Sequence, residues 1–181
     1  MSNAGFSYNN NPTKGVYLSQ SNAGPCFFCS KHDFLRICYG EESWLEKSPY
    51  AFPDDQVMFY KMHCIGLKVL TSFDSGIVHL DASSTVSNID EKTIKIIYSE
   101  YRNKLIFWHR FIFKPAANPV KKMWSTLAIT YSYGVQALKY SLLYVLGKKA
   151  IANAFFSGIK DAFAFLKSNE YKALTPIPSP K

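Results

Sequence analysis

Asp54 and Asp55 are adjacent carboxylates at what reads as the start of a short helix. Ala51-Phe-Pro-Asp-Asp-Gln-Val-Met-Phe-Tyr-Lys61 runs on to Gly66, and Gly76-Ile-Val-His79 follows. Pro53 before the acids and Gly66 after the last apolar positions bracket about three helical turns. Val57, Met58, Phe59 and Ile65 would pack this helix on a sheet, leaving both carboxylates outward at a loop junction, where sites commonly lie. A carboxylate held there can accept the proton of a hydroxyl as that hydroxyl attacks an electrophile. The same pair could equally be an N-terminal cap, since Asp is favoured there and interacts well with the helix dipole. His79, on a predicted strand over 77–80, is either a core histidine or a group that meets a metal or a phosphate.

Positioning these residues requires a set of short elements. Residues 16–20 read as a short strand or extended segment, 25–30 as a buried strand, and 32–39 as one or two helical turns. A long loop over 40–53 carries Trp44 and Tyr50. Trp44 offers an aromatic face on which a sugar ring could stack, or it anchors the loop. Strands are expected at 68–72 and 77–80. Over 89–113 the apolar spacing Ile94, Ile97, Tyr101, Leu105, Trp108, Ile112 is helical, and Lys114-Pro115 ends it. Two further helical segments fill 120–166, separated by Gly147-Lys148-Lys149.

In their order these pieces resemble the C-terminal, acceptor-side half of a family 2 glycosyltransferase, in particular its rhamnosyltransferase-like members. In that family an acidic pair, usually Glu-Asp, opens a helix that ends in a basic residue and a Gly, and a Val-x-His strand follows. Asp54-Asp55, Lys61, Gly66 and Val78-His79 match this order. Upstream, Ala23-Gly24-Pro25-Cys26-Phe27-Phe28-Cys29-Ser30-Lys31 is similar to the family's small-residue turn, apolar strand and basic residue. Downstream, Tyr101-Arg102-Asn103-Lys104 is similar to its Arg-Asn helix.

The resemblance covers residues 15–172 and implies an α/β fold: the C-terminal half of a Rossmann-like glycosyltransferase domain, followed by an all-α tail. It implies inverting transfer of a sugar from a nucleotide-diphosphate donor to a glycan or lipid-linked acceptor, in polysaccharide biosynthesis. Asp55 would be the base and Asp54 would orient the acceptor or the loop. Trp44, Gly24, Lys61 and Arg102 would lie on the substrate, although Lys61 and Arg102 also read as structural ion-pair residues. The departing diphosphate needs a divalent metal, Mn or Mg, or a cationic partner. His79 is the local candidate, as a metal ligand or a phosphate donor. No Asp-x-Asp occurs in the sequence, so the donor-binding half, which would hold most of the metal, is expected to be missing. The chain then reads as a truncated or split enzyme. The alternative is a non-catalytic membrane-associated subunit, or a remnant of such an enzyme.

Composition agrees with one globular unit and a tail. The chain has 181 residues, 48% hydrophobic and 16% aromatic, enough for one sizeable core. Residues 1–113 carry eleven basic and eleven acidic side chains, whereas 114–181 carry ten lysines against Asp161 and Glu170, so the net charge of +8 lies in the last third. That region has no arginine, which argues against nucleic acid as partner. The run from Trp124 to Leu146, 23 residues with Lys139 its only charge, is long enough in principle to cross a bilayer. Its serines, threonines and four tyrosines favour the interface instead. A basic amphipathic hairpin lying on anionic head groups is expected, giving a cytoplasmic protein peripheral on the inner face of the membrane; alternatively these helices pack on the rest of the chain or on a second subunit. Cys26, Cys29, Cys38 and Cys64 read as reduced thiols, because a structural zinc site needs two ligand pairs and His63-Cys64 is a poor second. The expected organisation is a flexible segment over 1–14, the acceptor-side part over 15–113, the helical tail over 114–172, and a flexible end over 173–181.

Overall fold

The computed structural model describes residues 14–20, 26–74 and 91–178. Helices dominate them. Strand β1 (Val16–Ser19) pairs antiparallel with β2 (Val69–Ser72), with Val16 opposite Ser72 and Ser19 opposite Val69. Between them come α1 (Lys31–Arg36), a 3-10 segment (Tyr39–Leu45) and α2 (Asp54–Cys64). After them come α3 (Glu91–Phe107), running straight into a π-helical segment (Trp108–Phe113), then α4 (Pro119–Val145), α5 (Lys149–Lys167) and α6 (Asn169–Ala173).

Local sequence explains most of these boundaries. The Ser30 hydroxyl caps α1 by accepting from the Asp33 amide, and Asn118 caps α4 by accepting from the Val120 amide with Pro119 at the first helical position. Gly66 and Gly147 end α2 and α4 in the left-handed region, φ +84° at each. There the next amides turn back onto helix carbonyls, Leu67 onto Met62 and Lys148 onto Leu143. The second of these turns folds α5 back along α4.

The Rossmann-like α/β expectation is overturned. Among the described residues the only sheet is the antiparallel β1-β2 pair, whereas a Rossmann half needs parallel strands joined by helical crossovers. Residues 27–30 form no strand; they lead into the Ser30 cap, and Phe28 stands 94% exposed. Helix α2 packs on two sides: Met58, Phe59 and Met62 lie beside Val69 of β2, and on the other side the Tyr60 ring meets Phe107 and Phe111 edge-on. The expected strand over 77–80 lies outside the described residues.

The main core joins segments far apart in sequence. Trp44, Val57 and Tyr60 share it with Ile106, Phe107 and Phe111, and with Phe165 and Tyr171. A smaller cluster of Ile37, Met58, Phe59, Met62 and Val69 lies beside β2. A third, of Tyr140, Ile151, Ala152 and Phe155, takes in Tyr101 of α3, whose ring lies 4.7 Å from that of Phe155. The α3-α5 approach is close because Gly158 has no side chain: a Cβ there would sit 2.6 Å from the Tyr98 carbonyl oxygen. The described residues up to 113 and the helices after them thus share the main core.

Candidate functional site

Asp54 and Asp55 occupy the first turn of α2, Asp54 exposed and Asp55 half-buried. From Val57 to Cys64 the helix is buried on nearly every side, so its acidic start is the part that meets solvent. Tyr39 lies within reach of their field. Burial, then the charges of Asp54 and Asp55, push its phenol up to about 12. The phenol therefore stays protonated at neutral pH.

The far half of α2 is fixed by a buried ionic cluster. Lys61 donates to Glu42 Oε1 (2.7 Å) and to the Cys38 carbonyl (3.1 Å). Arg110 grips the same carboxylate with both ends of its fork, Nε to Oε2 and Nη2 to Oε1, each 2.8 Å. Trp44 Nε1 adds a bond to Oε2 at 2.7 Å. Glu42 is 2% exposed. Burial alone would raise its pKa, but the Arg110 hydrogen bonds and charge, with those of Lys61, prevail and hold it below the ordinary carboxylate range.

A second polar layer, from α3, holds the segment leading into α2. Arg102 Nη1 donates to the Trp44 carbonyl (3.0 Å) and to Asn103 Oδ1 (2.6 Å). Asn103 Nδ2 donates to Ser48 Oγ (2.8 Å), and Ser99 Oγ accepts from the Tyr50 amide (3.1 Å). Arg102 also stacks on the Phe165 ring, 5.7 Å from its centroid.

These placements redistribute the expected site. Asp54 and Asp55 are presented together at the surface. Trp44 has no exposed surface, so its ring anchors the 3-10 segment and offers no face to a sugar. Lys61 and Arg102 are turned inward, each about 5% exposed, and position backbone and Glu42 instead of meeting a substrate. Gly24 and His79 lie outside the described residues. Sequence reasoning passed over Glu42 and Arg110, and took Asn103 only as part of the Arg-Asn match. Arg110 follows Arg102 at eight residues, the same face of one helix, which was a readable signal; the Glu42 partnership spans 68 residues and left none.

Among the described residues, no three His, Cys, Asp or Glu side chains gather as a metal site. Cys64 is buried, and burial pushes its thiol up to about 12, leaving it protonated and inert. A hollow of about 420 Å³ between residues 26–30 and β2, lined by Cys26, Phe28, Asp33, Met62 and Leu70, does not include the acidic pair. Among the described residues no helix is long and apolar enough to cross a membrane.

No family model, curated protein or solved structure matches this chain.

Proposed function

We propose that the chain is the acceptor-side part of an inverting glycosyltransferase that uses nucleotide-diphosphate sugars in polysaccharide biosynthesis. The observation that carries the reading is the presentation of Asp54 and Asp55 together at the open end of a helix whose remainder is locked by Lys61, Glu42 and Arg110. The motif order around that pair supports it independently of the helical architecture. Asp55 takes the proton of the acceptor hydroxyl as its oxygen attacks the anomeric carbon. Asp54 orients the acceptor. A hydroxyl has a high pKa, so the carboxylate contributes through orientation and as bond formation develops. The donor nucleotide and most of the hold on its Mn or Mg would fall to a nucleotide-binding half.

The protein would act peripherally at the cytoplasmic face of the membrane, where lipid-linked acceptors lie. The lysine-rich helices after residue 113 support that placement, and they also support the second reading, a membrane-associated subunit without catalysis of its own. Transfer from a panel of nucleotide sugars with Mn or Mg separates the two, measured on the chain alone and with a nucleotide-binding half. Transfer that needs both parts and is lost in Asp55→Asn supports the enzyme. Transfer that survives Asp55→Asn, or is absent in every combination, removes it.

A further inference from the structure

Helix α4 has two apolar faces and the fold uses only one. Ser125, Ile129 and Tyr140 point inward and are at most 5% exposed, and the Tyr133 hydroxyl, on the same side, donates to the Tyr101 carbonyl at 2.8 Å. On the opposite side Trp124, Leu127, Tyr131, Leu138, Leu142 and Val145 recur at intervals of three, four and seven, one stripe of a helix. Every one of the six is more than half exposed. At 1.5 Å per residue the stripe runs for roughly 30 Å.

Charge selects the occupant. There is no acidic residue from 114 to 160, while Lys121 and Lys122 stand at one end of the stripe, Lys148 and Lys149 at the other, and Lys139 beside its middle. Lys121 and Lys139 are 18 residues apart, about five full turns, and so flank the stripe on the same side. The two acids of the region are engaged within the fold: Asp161 accepts from the Tyr98 hydroxyl and Glu170 pairs with Lys47. A second copy laid antiparallel on the stripe would set the lysines of one end against those of the other. A bilayer with anionic head groups meets the apolar stripe and the lysines together.

We infer that the exposed stripe of α4 is a membrane-docking face: the helix lies in the plane of an anionic bilayer with Trp124, Leu138 and Leu142 in the acyl boundary and the flanking lysines on the head groups. The inference rests on the peripheral placement proposed above and not on the transfer chemistry. It gives that placement a face and an orientation.

Tryptophan emission reads the geometry directly, because Trp44 and Trp108 are already buried and Trp124 is 56% exposed. The full chain is titrated with vesicles of phosphatidylcholine alone and of phosphatidylcholine mixed with phosphatidylglycerol. Binding is followed by co-sedimentation, and Trp124 by its emission. The mixed vesicles should bind and shift the emission to the blue, and Trp124→Phe should lose the shift while keeping the binding. The triple variant Leu127→Gln, Leu138→Gln, Leu142→Gln alters only exposed side chains and should bind about tenfold or more weakly. Replacing Lys121, Lys139 and Lys148 by Gln should weaken binding to the mixed vesicles by roughly fivefold per lysine.

Unchanged binding by the leucine variant, with loss in the lysine variant, would overturn the docking face and leave the peripheral placement standing. No vesicle binding by the unaltered chain overturns both. Reversible self-association in solution that the leucine variant abolishes, without vesicle binding, assigns the stripe to a second copy and overturns the inference.

Discussion

Replacing Glu42 by Gln leaves the Lys61 and Arg110 cations facing one another inside the protein with no charge between them. Breaking a buried ionic cluster at one partner costs roughly 3–5 kcal/mol, and urea unfolding should show a loss of that size. The pH dependence has a definite sign. The folded-state pKa of Glu42 is held below its ordinary 4.5, so its contribution is fully present above that value and is lost as pH falls through the folded pKa. His63 and His109 act in the same direction at higher pH. Burial lowers both from 6.5, so acidification below 6.5 charges them in the unfolded chain first and erodes stability. Two steps are therefore expected between neutral and acid pH, and Glu42→Gln should abolish the lower one alone. Asp55 belongs to a different class. It stands half-buried at the open end of α2, outside the Glu42 cluster, so Asp55→Asn should reduce transfer by about 100-fold or more while leaving the unfolding free energy measured in urea within about 0.5 kcal/mol of the original. Near-normal turnover in that variant removes Asp55 from the mechanism.

Among the elements, the helices and the strands over 16–20 and 68–72 were legible, and the antiparallel pairing of those two strands was not. Pro53 and Gly66 marked α2, the 3.6-residue spacing from Ile94 to Ile112 marked α3, and Gly147 marked the turn between α4 and α5, because each signal is local. The strand expected over 25–30 failed for a physical reason: an apolar run such as Pro25-Cys-Phe-Phe-Cys29 suits a strand only if partners exist on both sides, and β2 pairs with β1 instead. The residues of the candidate site split along the same line. Asp54 and Asp55 could be placed from their own neighbours, whereas the enclosure of Trp44 depends on a core drawn from Val57 to Tyr171, some of it more than 100 positions away. Two helical glycines give opposite expectations at this scale. At Gly158 a Cβ meets the Tyr98 carbonyl oxygen at 2.6 Å, so Gly158→Val should push α5 off α3 and cost about 1–3 kcal/mol. At Gly134 nothing lies within 4 Å, so Gly134→Ala should stabilise α4 by up to about 1 kcal/mol. Thermal unfolding of the two variants should move in opposite directions from the original midpoint; equal shifts would mean that α5 does not approach α3 as closely as described.

For the whole molecule, the expected division between an acceptor-side part ending at 113 and a tail beginning at 114 meets a core that crosses it. Phe165 lies against Arg102, the Tyr171 hydroxyl shares a 2.6 Å hydrogen bond with His109 Nδ1, and Phe155 stacks on Tyr140 while meeting Tyr101 edge-on. Cutting the chain after residue 113 would expose Phe107 and Phe111 together with the aromatic face of α3, and would strip the Arg102 layer of its cover. Large aromatic side chains dominate core energetics, and a domain's net stability of 5–15 kcal/mol leaves little to absorb such a loss. The 1–113 fragment should therefore show no cooperative thermal transition, and adding a separately produced 114–181 fragment should restore one. A sharp transition in the shorter fragment alone would mean that the helices after 113 are an appended layer. The same packing bears on how the molecule meets a membrane. With one face of α4 committed to the core and the other free, a bilayer would engage a rigid helix already fixed relative to Asp54 and Asp55, so docking would also set the height and direction at which the acidic pair meets an acceptor.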